Sequence, residues 1–94
     1  MFVISYDITS DRLRNKISKV LEGYGIRIQY SVFECRIGEA KYSELYQRLM
    51  TLMENEKEGN IRSYYVCGQC EGKINTIGVV PEKIGQITEK VIII

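Results

Sequence analysis

Apolar residues recur along this chain with two different periods, and the switches between them mark its elements. Phe2-Val3-Ile4-Ser5-Tyr6 is a short, mostly apolar run ending in Asp7, and it predicts a first strand over Phe2 to Asp7. From Asp11 to Tyr24 the period lengthens. Leu13, Ile17, Val20, Leu21 and Tyr24 fall at i, i+4, i+7, i+8 and i+11, the single stripe of an amphipathic helix. Thr9 or Ser10 can cap its start, and Gly23 and Gly25 bracket its end. Alternation returns over Ile26 to Ile37, which predicts one long second strand. Ile26, Ile28, Tyr30 and Val32 would form its core face. Arg27, Gln29, Ser31, Phe33 and Cys35 would form the other, a mixed face whose Phe33 hints at contact with something besides bulk water.

A second helix is expected over Lys41 to Glu56, with Tyr42, Leu45, Tyr46, Leu49, Leu52 and Met53 as its stripe. Asn55 to Asn60, with Gly59, end it. Ile61 to Cys67 reads as a third strand, Gly68 to Gly72 as a turn, and Lys73 to Val79 as a fourth strand closed by Pro81. The order is then β-α-β-α-β-β, with the long second strand either bent or divided near Phe33–Glu34. Both versions give an α+β, ferredoxin-like sandwich: two helices on one face of an antiparallel sheet of four or five strands. At 94 residues the chain makes a single domain, residues 1–94. Val91-Ile92-Ile93-Ile94 is an apolar, β-branched terminus that is hazardous if left free. It is expected to dock as a strand on an edge of its own sheet or a partner's. A symmetric dimer would cover the helix-free sheet face at the same time.

The 45% hydrophobic share is that of a globular protein. No apolar run approaches the roughly 18 residues of a membrane span, and the start of the chain lacks a secretory pattern, so a cytoplasmic protein with no membrane association is expected. Net charge is only +1, but its distribution is uneven. Arg12, Arg14, Lys16, Lys19, Arg27 and Arg36 face only Glu22 and Glu34 between positions 12 and 36, while the stretch around Glu54 to Glu58 is acidic. Arg12, Lys16 and Lys19 make a basic stripe at i, i+4, i+7 on the first helix. It begins near Asp7, and it offers charge to phosphates or simply solvates a helix face.

The chain has no histidine. That removes the commonest general base, the Ser-His and Cys-His nucleophile pairs and every His-containing metal site. Chemistry must come from carboxylates, Lys, Tyr, Cys or a metal with its water. Cys67-Gly68-Gln69-Cys70 has C-x-x-C spacing, but one pair supplies two ligands, so a closed four-ligand site would need two chains. A redox role expects the pair between a strand and a helix start, whereas here it is expected in a turn between strands. No phosphate-cradling Gly-Lys-Ser/Thr loop is present, nor the aromatic pair of sheet-stacking RNA modules. Asp7 remains. A carboxylate at the C-terminal end of a buried strand stands on the rim of a sheet, where such folds keep their chemistry, although an Asp there often does no more than satisfy N–H groups at a helix start. One Asp is a thin site for Mg²⁺; two, brought together across a dimer axis, make a credible one.

Three stretches together resemble a known family: Tyr6-Asp7-Ile8, the basic helix around Arg12-Leu13-Arg14-Asn15-Lys16, and Gly25-Ile26-Arg27-Ile28-Gln29-Tyr30-Ser31-Val32-Phe33-Glu34. The family is the CRISPR-associated adaptation endonucleases, the second of the two universal Cas proteins. Gln-x-Ser-Val-Phe-Glu after a Gly-ended helix is the most specific part, and the likeness covers nearly the whole chain. The resemblance implies a homodimer whose sheets face each other, with the C-terminal strand crossing to the partner. It implies an endonuclease dependent on Mg²⁺, with Mn²⁺ as a substitute, acting on single-stranded RNA or double-stranded DNA. Asp7 of each protomer would be catalytic and bind the metal. Arg12, Arg14, Lys16, Lys19 and Arg27 would meet the nucleic acid, and Tyr6, Ser31 and Phe33 would support the site and interface. Lys16 stands where some members carry Arg, which keeps charge but loses bidentate phosphate geometry. The resemblance also implies partnership with the CRISPR integrase in spacer acquisition, with a non-catalytic adaptor that bridges integrase and duplex DNA as the alternative.

Overall fold

The pleat of the first strand sorts its residues between two environments, and the rest of the fold follows from that sorting. In β1 (Phe2–Asp7), Phe2, Ile4 and Tyr6 are buried while Val3 and Ser5 are half-covered on the opposite face and Asp7 is exposed. The structure is a computed structural model that describes residues 1–79. Its order is β1, α1 (Asp11–Glu22), β2 (Ile26–Gln29), β3 (Val32–Cys35), α2 (Glu39–Met53), β4 (Asn60–Tyr65) and a single-turn α3 (Gly68–Glu71). The four strands form one antiparallel sheet in the order β2-β3-β1-β4. This is the βαββαβ topology of a ferredoxin-like sandwich.

The register places Phe2 opposite Cys35 and Ile4 opposite Phe33, so these four share a face. Leu13, Ile17 and Leu21 of α1 and Leu45 and Leu49 of α2 close over that face, with Tyr6 and Ile8 completing the core. Both helices therefore cover one side of the sheet. The Phe2 ring stacks on Tyr42 of α2 with centroids 3.9 Å apart. Ser10 caps α1, its Oγ accepting from the Leu13 N–H, as one of the two expected capping positions. Gly25 is required by close approach: a Cβ there would lie 2.5 Å from Cys35 Sγ and 2.9 Å from its Cα, so no other residue lets the chain leave α1 against β3.

The predicted second strand is corrected. It divides, and at Tyr30–Ser31 rather than Phe33–Glu34, so β2 and β3 form a tight hairpin and the extra strand lies in the middle of the chain. A shift in register between Arg27 and Gln29 accompanies the turn. Reversing direction there exchanges the expected faces, as any odd-residue slip does. Phe33 and Cys35, expected on the mixed outer face, have 0% exposure, while Tyr30, expected in the core, is 70% exposed. Phe33 is thus a core residue.

Gly68 to Glu71 forms a helical turn rather than a plain turn, because Cys67 caps it. Lys73 to Val79 is not a strand: Gly78 at φ +110° breaks the extended run, and Ile77 and Val79 are fully exposed. The second helix starts two residues earlier than expected and ends at Met53. The expectations for Pro81 and for Val91 to Ile94 lie outside the described residues. Among the described residues no helix is long and apolar enough to cross a membrane.

Candidate functional site

Asp7 closes β1 on the face the helices leave uncovered, paired in register with Asn60 at the start of β4. Its carboxylate is exposed at the rim, and the backbone around it is held from three sides. Behind it, Ile8 is buried in the core and fixes the exit of the chain. Beside it, Gly59 turns the chain into β4 at φ +86°, and a Cβ there would come within 2.7 Å of the Asp7 carbonyl. Only glycine satisfies both demands. In front of it, Arg14 reaches back from the first turns of α1. Its guanidinium donates to the carbonyls of Ile8 at 2.9 Å and Thr9 at 3.4 Å and pairs with Asp11. The Asp7–Ser10 corner is therefore clamped by a residue one turn into the following helix.

The same guanidinium lies 5.7 Å from the centroid of the Tyr30 ring. The β2–β3 turn is in this way a second anchor of the site. Tyr6 is buried, and its hydroxyl donates to the Tyr30 carbonyl at 3.4 Å while its N–H donates to the Ser31 carbonyl at 3.1 Å. Arg27 also donates to the Tyr30 carbonyl, reaches Ser18 Oγ at 2.6 Å, and lies 5.0 Å from the centre of the Phe33 ring. Glu22 adds a loose ion pair at 3.9 Å.

The residues singled out in the sequence therefore separate into groups. Tyr6, Arg14, Arg27 and Ser31 converge on the turn at Tyr30 and on the corner after Asp7. Phe33 backs Arg27 from inside the core. Arg12, Lys16 and Lys19 are exposed on α1, and among the described residues no ion pair or side-chain hydrogen bond engages them. The most important residue that sequence reading passed over is Tyr30. Its carbonyl receives two side chains, and a backbone acceptor leaves no mark in residue type. Only the position of the hairpin turn would have shown it.

Glu34 was also passed over. It sits on the uncovered face of β3, opposite Val3 and Ile26 in the two neighbouring strands. Burial pushes its carboxyl above the usual range, and Arg36, at 3.7 Å, partly offsets that. Arg36 in turn pairs with Glu71 of α3 at 2.6 Å, which ties the segment after β4 to β3.

As a metal centre, one chain supplies little. Among the described residues no group of three or more His, Cys, Asp or Glu side chains could hold an ion. Asp7 is an exposed, hard oxygen donor on a fixed corner. That suits a Mg²⁺-type cation, which takes one or two carboxylates and keeps several waters, and it does not suit a closed cage built from one chain.

The chain is similar in sequence and shape to known proteins. The family model described as CRISPR associated protein Cas2 matches residues 1–74. A curated relative, the CRISPR-associated endoribonuclease Cas2 3 of Synechocystis sp., is 42% identical over 81 residues, covering 86% of this chain and 87% of its own. The crystal structure of Streptococcus pyogenes Cas2 superposes with a TM-score of 0.71 at 28% identity, covering 83% of this chain and all of that one. A chain of a partial Cas6-RT-Cas1–Cas2 complex superposes with a TM-score of 0.66 at 32% identity, covering 73% of this chain and 80% of its own.

Proposed function

This chain belongs to the family of CRISPR associated protein Cas2, and on that premise we propose that it is a metal-dependent endonuclease of spacer acquisition. In this reading it cuts phosphodiester bonds of RNA or duplex DNA as a homodimer that works beside the Cas1 integrase. The observation that carries the proposal is the exposed Asp7 carboxylate on a corner fixed by Ile8, Gly59 and Arg14. The name of the Synechocystis relative supports the nuclease reading, and the Cas1–Cas2 complex supports the integrase partner.

Each residue then has a stated task. Asp7 of each of two protomers would supply a hard oxygen donor for Mg²⁺ or Mn²⁺. Such a cation, when bound, supplies a water of lowered pKa and charge to offset that of the phosphate. Arg14 holds the corner so that the carboxylate does not swing with the loop, and Tyr6 and Arg27 hold the turn on which Arg14 leans. Arg12, Lys16 and Lys19 receive the phosphate backbone without reading bases, which suits an enzyme that accepts many sequences. The uncovered sheet face meets the partner's.

The test sets wild type beside Asp7→Asn, with RNA and with duplex DNA, in Mg²⁺, in Mn²⁺ and in chelator. Metal-dependent cleavage should fall by at least about a hundredfold in the variant, since the amide loses the charge that holds the ion. Equal cleavage in both proteins would remove Asp7 from the site. No cleavage by either, with duplex binding retained, would replace the nuclease by an adaptor.

A further inference from the structure

The proposed nuclease leaves one motif unused. The Cys67–Cys70 pair follows directly on the last anchored residue of the sheet: Val66 donates to the Met1 carbonyl at 2.8 Å and accepts from the terminal amine at 3.1 Å. Cys67 then caps α3, and its sulfur accepts from the Cys70 N–H at 3.4 Å. The pair therefore lies between a strand and a helix start, the placement that the sequence alone had set aside. Both thiols are exposed and free, in contrast to the buried Cys35. At Gly68, between them, an added Cβ would meet no atom within 4 Å among the described residues.

From this geometry we propose that Cys67 and Cys70 form a reversible thiol–disulfide couple, with Cys67 the attacking sulfur, Cys70 the resolving one, and a low-molecular-weight disulfide the oxidant. The Cys70 N–H lies 3.4 Å from the Cys67 sulfur, across the single turn that joins the two residues. The N–H and thiol of Cys70 both stabilise a thiolate at Cys67 and pull its pKa below the ordinary value, while Cys70 is raised and keeps its proton. Cys35 is pushed up to about 11 by burial and stays a thiol.

The Cys67 thiolate attacks one sulfur of the small disulfide, forming a mixed disulfide and releasing one small thiolate. Cys70 gives its proton to solvent and attacks the Cys67 sulfur, which closes the Cys67–Cys70 bond and releases the second thiolate. Two protein thiols are oxidised and one small disulfide is reduced to two thiols. A dithiol reductant reverses both steps. A metal role is the weaker reading, because two sulfurs are half of a closed zinc site and no third ligand joins them among the described residues.

The test uses the whole, native chain. The protein is treated with oxidised glutathione, then alkylated, and its peptides are weighed. In wild type, positions 67 and 70 should lose alkylation together and regain it after a dithiol. Cys35 should label only after denaturation, which reports that the fold is intact. In Cys70→Ser a glutathione adduct should persist on position 67. In Cys67→Ser the adduct on position 70 should form at least about threefold more slowly. The proposal is overturned if both thiols of wild type remain alkylatable, if Cys70→Ser traps no adduct, or if the bond forms only between chains.

Discussion

Two sets of cations lie along and beside α1, and equal charge serves them differently. Arg14 and Arg27 spend their donors inside the molecule, on the carbonyls of Ile8, Thr9 and Tyr30 and on Ser18. Arg12, Lys16 and Lys19 stand in solvent. Position explains the division, since Arg12 is a guanidinium too: Arg14 and Arg27 lie within reach of backbone carbonyls, and there a fork serves two acceptors at once, whereas an ammonium is a point charge on a flexible stem. Local charge in the sequence counts all five alike. Carbonyl oxygens, which no residue letter records, decide which of these cations are held to the backbone and which stay in solvent.

That division breaks most visibly at Arg14. Arg14→Ala should release the Asp7–Ser10 corner and lower cleavage by about a hundredfold, the scale expected when a reacting group is displaced by about an ångström. Nucleic-acid affinity at fixed salt should change little. A loss of affinity equal to the loss of rate would return Arg14 to the phosphate-binding set. The exposed cations should behave in the opposite way. Replacing Arg12, Lys16 and Lys19 by Ala should weaken binding and reduce the salt slope by about 0.7 to 0.9 per residue that contacts phosphate, with urea midpoints almost unmoved. Titrations at several salt concentrations read this directly. A smaller effect belongs to Arg27→Lys. Charge is kept, but one ammonium cannot serve both the Tyr30 carbonyl and Ser18, so stability should fall by about 1 kcal/mol in urea. Full stability would mean that Phe33 and the stem of the side chain, not the fork, hold the turn.

The same contrast accounts for what the sequence made legible. The stripe Leu13, Ile17, Leu21 and the run Phe2 to Asp7 are periodic and long enough that burial has one solution: β1 stands as predicted, and α1 starts where expected and ends two residues early, at Glu22. The ferredoxin-like class followed from them. The hairpin did not. Ile26 to Ile37 alternates throughout, and Tyr30-Ser31 lacks the Asn-Gly or Gly-rich signal of a two-residue turn. An unbroken strand was therefore the simpler reading, and it put Phe33 on the wrong face. Asp7 was visible as a carboxylate at a strand end, but its setting was not: Gly59 approaches from a distant turn and Arg14 from the next helix. Lys73 to Val79 shows the converse failure. Its residues favour a strand, yet Gly78 breaks the run, because propensity proposes an element that tertiary context must accept.

Arg36 is a third kind of cation, held between Glu34 at 3.7 Å and Glu71 at 2.6 Å on the uncovered face, and it gives the subtlest test of the contrast. Burial raises the Glu34 carboxyl more than Arg36 lowers it. A carboxyl whose pKa is higher in the folded chain than in the unfolded one favours folding when protonated. Its contribution is complete below the unfolded value and is lost as pH rises through the folded value. Glu34→Gln keeps the shape and removes the titration. The variant should match wild type at about pH 4 and gain slightly on it by about pH 7, read as a shift in urea midpoint. A variant less stable than wild type at neutral pH would mean that the Arg36 ion pair outweighs the burial of the charge. The cations tied to the fold would then stabilise it through carboxylates as well as through carbonyls.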